Sequence, residues 1–325
     1  MNVGIVGCGL IGTKRAQALA GAKLVAVVDH VVERAHKLAS AHTGVEVCDD
    51  WHTLITRPDL DIVIVATSND ALAAITLAAV EHGKHVLVEK PAARSAAELI
   101  PVQQAAEARG VQVRVGFNHR YHPALLKAQE LLHSGALGEL MYVRGRYGHG
   151  GRPGYELEWR ADPKISGGGE LLDQGVHLID LARVFLGDFP HVSGFAHTYY
   201  WDMPADDNGF MLLRTERQQV AWLHVSWTEW KNLFSFEIYG RDAKLHIEGL
   251  GGSYGVERLA YYKMLPEMGP PDTTIWEYPR GDQSWALEMS EFLEDIRLGR
   301  TPAASLRDAY AALTIVDAIY QASRS

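Results

Sequence analysis

Three glycines near the start of the chain constrain its fold more than any other feature. They form the pattern Gly-x-Gly-x-x-Gly from Gly7 to Gly12, directly after the apolar run from Val3 to Val6 and directly before a helical stretch. In this context Gly7 permits a tight turn, Gly9 lets the backbone approach a pyrophosphate, and Gly12 allows close packing of the helix. The pattern predicts a parallel α/β sheet that binds a dinucleotide. The predicted contacts at this turn are Gly7, Gly9, Leu10, Ile11 and Gly12.

The end of the second predicted strand carries an acidic residue, Asp29. A carboxylate at this position binds the adenine ribose hydroxyls and repels a 2′-phosphate, so NAD is favoured over NADP. His30 and Arg34 lie close enough in the sequence to weaken that repulsion. We therefore expect NAD as the cofactor, with a moderate preference over NADP.

The first 117 residues alternate between short apolar runs and alanine-rich helical stretches, which is typical of a parallel sheet covered by helices. Near-continuous valine and isoleucine in the runs indicates strands that are buried on both faces. Six strands are predicted, at 3–6, 24–29, 45–47, 61–67, 85–89 and 111–117, and helices are predicted at 11–20, 69–82 and 95–109.

The pattern changes after Pro123. A helix through His133, a strand at 140–147 and a helix from Asp173 through Leu186 are followed by a series of strands. These strands, at 192–200, 209–215, 219–227, 233–239 and 243–248, are separated by short turns, so we expect them to be antiparallel neighbours. Two helices, at 285–298 and 306–322, come last, and the proline-rich segment 265–271 is expected to be a surface loop.

Polar side chains follow the fourth and fifth predicted strands, where ligands of an open α/β sheet gather. Thr67 and Asn69 are predicted to touch the cofactor, although Asn69 is equally suited to be the N-cap of the next helix. Glu89 and Lys90 follow the fifth strand and are also predicted to touch the cofactor. An ammonium group there would stabilise developing alkoxide charge and bind the ribose, whereas the alternative is a solvated lysine at a strand end.

The run from Gly167 to Gly169 leads to an acid and an imidazole four residues apart, Asp173 and His177. On one helix the two side chains would share a face. His177 could then take a hydroxyl proton while hydride leaves the same carbon, with Asp173 orienting the ring or binding the substrate. The alternative is an ordinary pair on a helix surface. No third ligand follows at a spacing typical of a metal site, so no metal is predicted.

Composition excludes several classes of protein. The net charge of −9 and the pI near 5.9 argue against a nucleic-acid partner, which requires an excess of lysine and arginine. Cys8 and Cys48 form no C-x-x-C pair, so neither a disulfide framework nor a cysteine zinc site is expected. No long apolar run and no secretory pattern is present, so we expect a cytoplasmic protein without a membrane partner.

Together the motifs resemble the glucose-fructose oxidoreductase, inositol dehydrogenase and MocA (Gfo/Idh/MocA) family of nicotinamide-dependent sugar and polyol oxidoreductases. The residues that carry the resemblance are the glycine turn, Glu89-Lys90-Pro91, the segment from Asn118 to Pro123, Trp159-Arg160 and the glycine run before Asp173 and His177. The resemblance implies a Rossmann domain, 1–119, followed by an α/β domain, 120–325, with a large, mostly antiparallel sheet. One face of that sheet would carry the substrate, and the other would often form a subunit interface.

By matching position, Lys90, Asp173 and His177 take the catalytic places of the family, with His177 as the group that transfers the proton. Leu72 departs from the pattern, because many relatives carry a histidine there. The predicted substrate contacts are Arg120, Tyr147, Trp159, Arg160, Asp173 and His177, with Arg152 and Tyr155 close by. The arginines suggest an anionic substrate, although a solvated basic surface would explain them equally well, and the aromatic residues could belong to the core.

The first hypothesis is therefore a dehydrogenase that moves hydride between NAD and a carbon of a sugar, a sugar derivative such as a nucleotide sugar, or a cyclitol. The alternatives are a glycosidase of the same fold that recycles NAD, and a non-catalytic dinucleotide-binding regulator, against which the presence of Lys90, Asp173 and His177 argues. A homodimer or homotetramer is expected through the second sheet, because segment 220–230 carries large side chains on both faces. One face would cover the helices of its own domain, and Trp222, His224 and Trp230 would lie on the other.

Overall fold

A six-stranded parallel sheet organises the N-terminal part of the chain in the computed structural model, which describes residues 1–267 and 269–324. The strand order is β3-β2-β1-β4-β5-β6, so the order reverses between β1 and β4, as in a Rossmann fold. Its strands and helices are β1 Asn2–Val6, α1 Leu10–Gln17, β2 Lys23–Val28, α2 Val32–Ser40, β3 Glu46–Val47, α3 Trp51–Ile55, β4 Ile62–Val65, α4 Asn69–Glu81, β5 His85–Val88, α5 Ala96–Arg109 and β6 Val113–Val115. The predicted strands and helices agree with these bounds to within a few residues.

The chain divides into two compact units, and the first of them is discontinuous in sequence. It contains residues 1–117, 164–167 and 285–313. Met289 and Phe292 of helix α10, Ser284–Leu298, are buried in the same apolar cluster as Val3 and Ile5. The sequence predicts two consecutive domains, 1–119 and 120–325. The bounds of the two compact units differ from this division, because α10 completes the core of the first unit.

The second unit is built on an eight-stranded sheet with the order β14-β13-β12-β11-β7-β10-β9-β8. Its strands are β7 Leu140–Gly148, β8 His191–His197, β9 Asn208–Arg214, β10 Val220–Ser226, β11 Leu233–Gly240, β12 Ala243–Glu248, β13 Glu257–Lys263 and β14 Asp272–Tyr278. The remaining helices of the chain are α6 Pro123–His133, α7 Pro163–Ser166, α8 Glu170–Asp173, α9 Gly175–Leu186 and α11 Leu306–Ser323.

This sheet is mostly antiparallel, as predicted, but its order contains an insertion that the sequence did not predict. Strands β10 and β11 are not neighbours, because β7 lies between them, parallel to β10 and antiparallel to β11. The expectation of consecutive antiparallel neighbours from 192 to 248 is therefore wrong at this point. Strands β13 and β14 were not predicted at all. The expected loop 265–271 joins them, and Met268 within it lies outside the described residues.

The two faces of the second sheet differ. Helix α9 packs on β7 and β10, and Leu223 and Val225 of β10 are buried. On the other face Trp222 is 53% exposed and Leu212 is 52% exposed. Trp230 was expected on this face of the strand, but it lies beyond the end of β10 with a φ of 55°. No helix in the described part of the chain is long and apolar enough to span a membrane.

Candidate active site

The glycine turn has the geometry that a dinucleotide requires. Gly7 has a φ of +95°, and a Cβ on it would lie 2.4 Å from the carbonyl oxygen of Ala66. A Cβ on Gly12 would lie 1.9 Å from the carbonyl oxygen of Gly7. A Cβ on Gly9 would meet no described atom within 4 Å. Gly7 and Gly12 therefore permit close packing, while the open side of Gly9, beside the exposed Leu10 and the start of α1, leaves room for a pyrophosphate.

Asp29 holds the glycine turn against the end of β2. Its Oδ2 accepts a hydrogen bond from the N–H of Cys8 at 2.6 Å, and its Oδ1 accepts one from the N–H of Val31 at 2.8 Å. The side chain is only 4% exposed, whereas that of His30 is 86% exposed. Burial and the charge of Asp29 raise the pKa of Cys8 to about 12, so this thiol stays uncharged. The predicted ribose contact of Asp29 stays a prediction, and the structure adds its role in holding the turn.

The residues after β4 show which residue is the N-cap of helix α4. Ser68 occupies the N-cap position of α4, so the interpretation of Asn69 as the N-cap is wrong. The buried Asn69 donates from Nδ2 to the carbonyl oxygen of Ser166 at 2.8 Å. Thr67 is half-buried and donates from Oγ1 to the carbonyl oxygen of Ser68 at 3.1 Å. The expected cofactor contacts of Thr67 and Asn69 stay predictions. Leu72 is fully buried in α4.

Glu89 and Lys90 come directly after β5, at the carboxyl end of the sheet. The N–H of Glu89 donates to the carbonyl oxygen of Val65 at 2.9 Å, which continues the strand pairing. The carboxylate of Glu89 is buried and accepts a hydrogen bond from Nε of Arg15 at 2.7 Å. Glu89 is thus engaged through its side chain by Arg15. Its contact with the cofactor and the role of the half-buried Lys90 stay predictions.

In the second unit, His177 belongs to a buried cluster of rings. The ring of His119 lies 3.7 Å from that of His177, measured between centroids, at an angle of 81°. The hydroxyl of Tyr147 lies 3.4 Å from Nε2 of His119, and the Tyr147 ring also contacts Phe234 and Tyr254. Burial raises the pKa of Tyr147 well above its ordinary value, so the phenol stays protonated. The cluster can supply hydrogen-bonding and proton-transferring groups in a setting with little water.

The prediction that Asp173 and His177 share one helix is wrong. Asp173 is the last residue of α8, and His177 is in α9, with Gln174 between the two helices. The N–H of His177 donates to the carbonyl oxygen of Gln174 at 3.0 Å, a tighter turn than the α-helix allows. Gly175 follows at a close approach, because a Cβ there would lie 3.2 Å from Cδ1 of Leu171. The i, i+4 spacing is present, but the helix is interrupted between the two residues at Gln174, whose backbone remains in the right-handed helical region.

Asp173 has a charged partner that the sequence did not reveal. Nε of Arg160 donates to Oδ2 of Asp173 at 3.2 Å, and the guanidinium carbon lies 4.4 Å from the ring centroid of Trp159. Burial alone would lower the pKa of Arg160, but Asp173, Tyr155 and Glu158 together outweigh this effect and the pKa is raised. The buried Tyr155 contacts the ring of His149 nearby, and burial lowers the pKa of His149. Trp159, Arg160 and Asp173 are thus brought together.

Arg120 is held by a carboxylate. Its Nε and Nη2 donate to the two carboxylate oxygens of Asp180 at 2.7 and 2.5 Å, and the Asp180 side chain is buried. This pair connects the short 3₁₀ helix Asn118–Tyr121 to α9, so Arg120 has a structural partner in addition to the substrate contact that stays predicted. His119 and Tyr254 were not predicted as site residues. His119 lies next to Arg120 within a motif that carried the resemblance, which was the available signal.

Within residues 1–267 and 269–324, no group of three or more histidine, cysteine, aspartate or glutamate side chains is arranged to hold a metal ion.

Comparisons with known proteins cover both units. Residues 1–117 match the oxidoreductase family with an NAD-binding Rossmann fold, and residues 125–246 match the Gfo/Idh/MocA C-terminal domain. An inositol 2-dehydrogenase from Acidothermus cellulolyticus is 30% identical, over 100% of this chain and 93% of that protein. A levoglucosan dehydrogenase from Pseudarthrobacter phenanthrenivorans is 33% identical over 67% of this chain, and the match spans 59% of that protein's length. Among solved structures, levoglucosan dehydrogenase in complex with NADH superimposes with a TM-score of 0.89 at 25% identity, covering 100% of this chain and 97% of that chain.

Proposed function

Because the chain belongs to the Gfo/Idh/MocA family of NAD-binding oxidoreductases, we propose that it is a dehydrogenase that oxidises one hydroxyl-bearing carbon of a neutral sugar or cyclitol. The named activities of its relatives, on inositol and on levoglucosan, support this class of substrate. The observation that carries the proposal is the buried ring cluster of His119, Tyr147 and His177, which surrounds an imidazole with groups suited to a hydroxyl substrate.

In the proposed reaction, His177 takes the proton of the substrate hydroxyl as the carbinol carbon loses hydride. NAD, when bound at the glycine turn, supplies the acceptor for that hydride. The ammonium group of Lys90 stabilises the negative charge that develops on the substrate oxygen, and Asp173 orients the substrate together with Arg160. In the reverse direction the imidazolium of His177 returns the proton to the carbonyl oxygen.

The ion pairs favour a neutral substrate over an anionic one. Three arginines first suggested an anion, but Arg120 pairs with Asp180, Arg160 with Asp173, and Arg152 with Glu158. Each guanidinium charge is therefore already balanced by a carboxylate. A substrate rich in hydroxyl groups can bind to such pairs through hydrogen bonds, whereas a uronate or phosphate would place a second negative charge beside a carboxylate. We expect a neutral cyclitol, pyranose or anhydrosugar.

We also propose that the exposed face of the second sheet is a homo-oligomer interface. The apolar side chains on this face are those of Phe195, Phe210, Leu212 and Trp222, which follow one another across β8, β9 and β10. Apolar side chains that face one way on neighbouring strands form a patch of the kind that another subunit covers. Either a dimer or a tetramer is compatible with this patch.

A screen for reduction of NAD tests the proposed function. The absorbance of NADH is followed with inositols, neutral pyranoses, levoglucosan and uronates, and release of an aglycone from glycosides is followed in parallel. We expect turnover with at least one neutral polyol, and a loss of about two to four orders of magnitude in Lys90→Met. Calorimetry should show tighter binding of NAD than of NADP. Aglycone release without net NADH would indicate the NAD-recycling glycosidase, and cofactor binding without any turnover would indicate a regulator.

A further inference from the structure

We propose that Arg15 and Glu288 are positioning residues that hold the Glu89–Lys90 turn in place for hydride transfer, so that helix α10 takes part in catalysis from a distance. This inference rests on the proposed role of Lys90. All of the residues involved belong to the first compact unit.

Arg15 bridges two carboxylates that are far apart in the sequence. It lies on α1, three residues after Gly12, and its side chain is 1% exposed. Nε donates to Oε1 of Glu89 at 2.7 Å, and Nη1 donates to Oε2 of Glu288 at 2.5 Å. The guanidinium therefore connects the residue directly before Lys90 to helix α10.

The space around the guanidinium is closed on several sides. The side chain of Glu288 is 0% exposed, and the ring centroid of Trp285 lies 4.4 Å from the guanidinium carbon of Arg15. A Cβ on Gly116 would lie 2.6 Å from Nη2 of Arg15 and 3.0 Å from Oε2 of Glu89. The absence of a side chain at position 116 thus makes room for this pairing. The carboxylates of Glu89 and Glu288 bind the guanidinium nitrogen atoms, and the indole of Trp285 covers the guanidinium carbon. Water therefore cannot easily replace either carboxylate.

A buried arrangement of this kind is poorly explained by stability alone. Ionised groups lose their hydration on burial, and apolar side chains of similar volume often stabilise a core equally well. The arrangement does restrict geometry, because the planar guanidinium presents its donors in a rigid fork. Two hydrogen bonds fix the backbone of the same turn. The N–H of Glu89 donates to the carbonyl oxygen of Val65, and the N–H of Ala92 donates to the carbonyl oxygen of Glu89. Arg15 fixes the side chain of Glu89 as well, so the residue directly before Lys90 is held through its N–H, its carbonyl oxygen and its side chain.

Helix α10 offers a matched control. Asp295 lies two turns after Glu288 on the same helix and pairs with the fully buried Arg114 at 2.5 Å. Arg114 is on β6, and its Nη2 donates to Oδ2 of Asp295. Loss of this second pair should weaken the attachment of α10 without touching the Lys90 turn.

The test compares Glu288→Ala with Asp295→Ala in the full-length protein. Both variants should melt at lower temperature than the wild type, because each leaves a buried arginine without one partner. Only Glu288→Ala should lower kcat, by about 10- to 100-fold, because small displacements of a reacting group have effects of this size. The KM for NAD should change much less. Glu288→Gln retains an acceptor for Arg15 and should keep kcat within about threefold of the wild type.

A change at Arg15 and two double variants keep the test decisive. Lysine at position 15 retains the charge but lacks the fork, so Arg15→Lys should lower kcat even if Glu288→Ala does not fold. In a double-variant cycle, Lys90→Met with Glu288→Ala should be little slower than Lys90→Met alone, because residues that act through one group do not add. Asp295→Ala should combine with Lys90→Met without such coupling.

The outcomes separate this inference from the proposed function. Wild-type turnover in Lys90→Met would overturn the proposed role of Lys90 and this inference with it. A defective Lys90→Met variant, with equal kcat in Glu288→Ala and Asp295→Ala, would overturn the inference alone. Wild-type kcat in Arg15→Lys, or full multiplication of the Lys90 and Glu288 effects, would do the same.

Discussion

The imidazole rings of His119 and His177 meet almost at right angles, with their centroids 3.7 Å apart. This T-shaped contact places the edge of one imidazole against the face of the other. The ring of His119 therefore limits the orientations that are open to the ring of His177, the proposed proton acceptor.

The first prediction concerns His177. Replacement by asparagine should lower kcat for oxidation by about two to four orders of magnitude, because the group that takes the hydroxyl proton is lost. In the wild type, oxidation should slow as the pH falls, since only neutral imidazole accepts a proton, and this acid limb should be absent from the residual activity of His177→Asn. Rate profiles from pH 5 to 9 measure both effects. A variant that keeps wild-type turnover would exclude His177 as the base.

The second prediction concerns His119. Phenylalanine at position 119 preserves a ring beside His177 and Phe234 but removes the nitrogen that faces the Tyr147 hydroxyl. We expect kcat to fall by about ten- to hundredfold through loss of orientation at His177, while affinity for NAD changes little. Tyr147→Phe is the matched control, because it removes the hydroxyl from the same contact and leaves the ring of His119 unchanged. Wild-type kcat in His119→Phe would show that the ring contact is packing alone.

The third prediction concerns Asp173 and Arg160. Asp173→Asn and Arg160→Gln should each weaken turnover, because each change disrupts the contact between Nε and Oδ2. The double variant should be less impaired than the product of the single losses, with a coupling of about 1 kcal/mol or more. Steady-state kinetics of the four proteins gives this coupling directly. Full independence would mean that the two side chains act separately on the substrate.

The fourth prediction concerns stability in acid. Burial alone would raise the pKa of Glu237, but hydrogen bonds from Arg144, Lys244 and Tyr239 outweigh it and lower the pKa from 4.5 to about 2. A lowered carboxyl pKa stabilises the folded protein above the unfolded value, and this contribution is lost as the pH falls from 4.5 towards 2.

Glu237→Gln should therefore destabilise the protein by about 1 to 2 kcal/mol at pH 7, a moderate value because Arg144 is partly exposed. Its denaturation curves should approach those of the wild type below about pH 3. The control is Glu294→Gln, which loses an ion pair with Arg297 on the surface and should have almost no effect. A difference between Glu237→Gln and wild type that did not shrink in acid would contradict the assignment.

The fifth prediction concerns assembly. Light scattering at micromolar concentration should give a mass of at least two chains, and Trp222→Glu with Leu212→Glu should shift it to one chain, because charges would have to be buried on the exposed face of the sheet. Ile100→Glu places the same charge on an exposed site of α5 and should leave the mass unchanged. A monomeric wild type would exclude the sheet as an interface under these conditions.

The features that the sequence predicted well depend on local patterns. The glycine turn, the buried valine-rich strands and the helices between them each follow from residues close together in the chain. Strands β13 and β14 were missed because β14 is largely exposed and lacks apolar alternation. The insertion of β7 between β10 and β11 depends on pairing between distant segments, which no local period encodes.

The same distinction applies to the candidate site. The types of residue at Lys90, Asp173 and His177 were recognised from motifs, but their supporting contacts were not. Arg15 and Glu288 are separated by 273 positions, and nothing in either neighbourhood indicates that they meet. The interruption of the helix at Gln174 was also not predicted, because the four-residue spacing of Asp173 and His177 is the same in a continuous and in an interrupted helix.

The burial of Phe292 beside Val3 and Ile5 has a consequence for how the protein is made. A ribosome synthesises the chain from its N-terminus, so the six strands of the first sheet leave the exit tunnel long before α10 does. Until then the nascent sheet exposes apolar surface that no local segment can cover. Completion of this core must therefore wait until α10 has been synthesised, long after the last strand of the sheet, and the nascent chain carries an unfinished core during that interval.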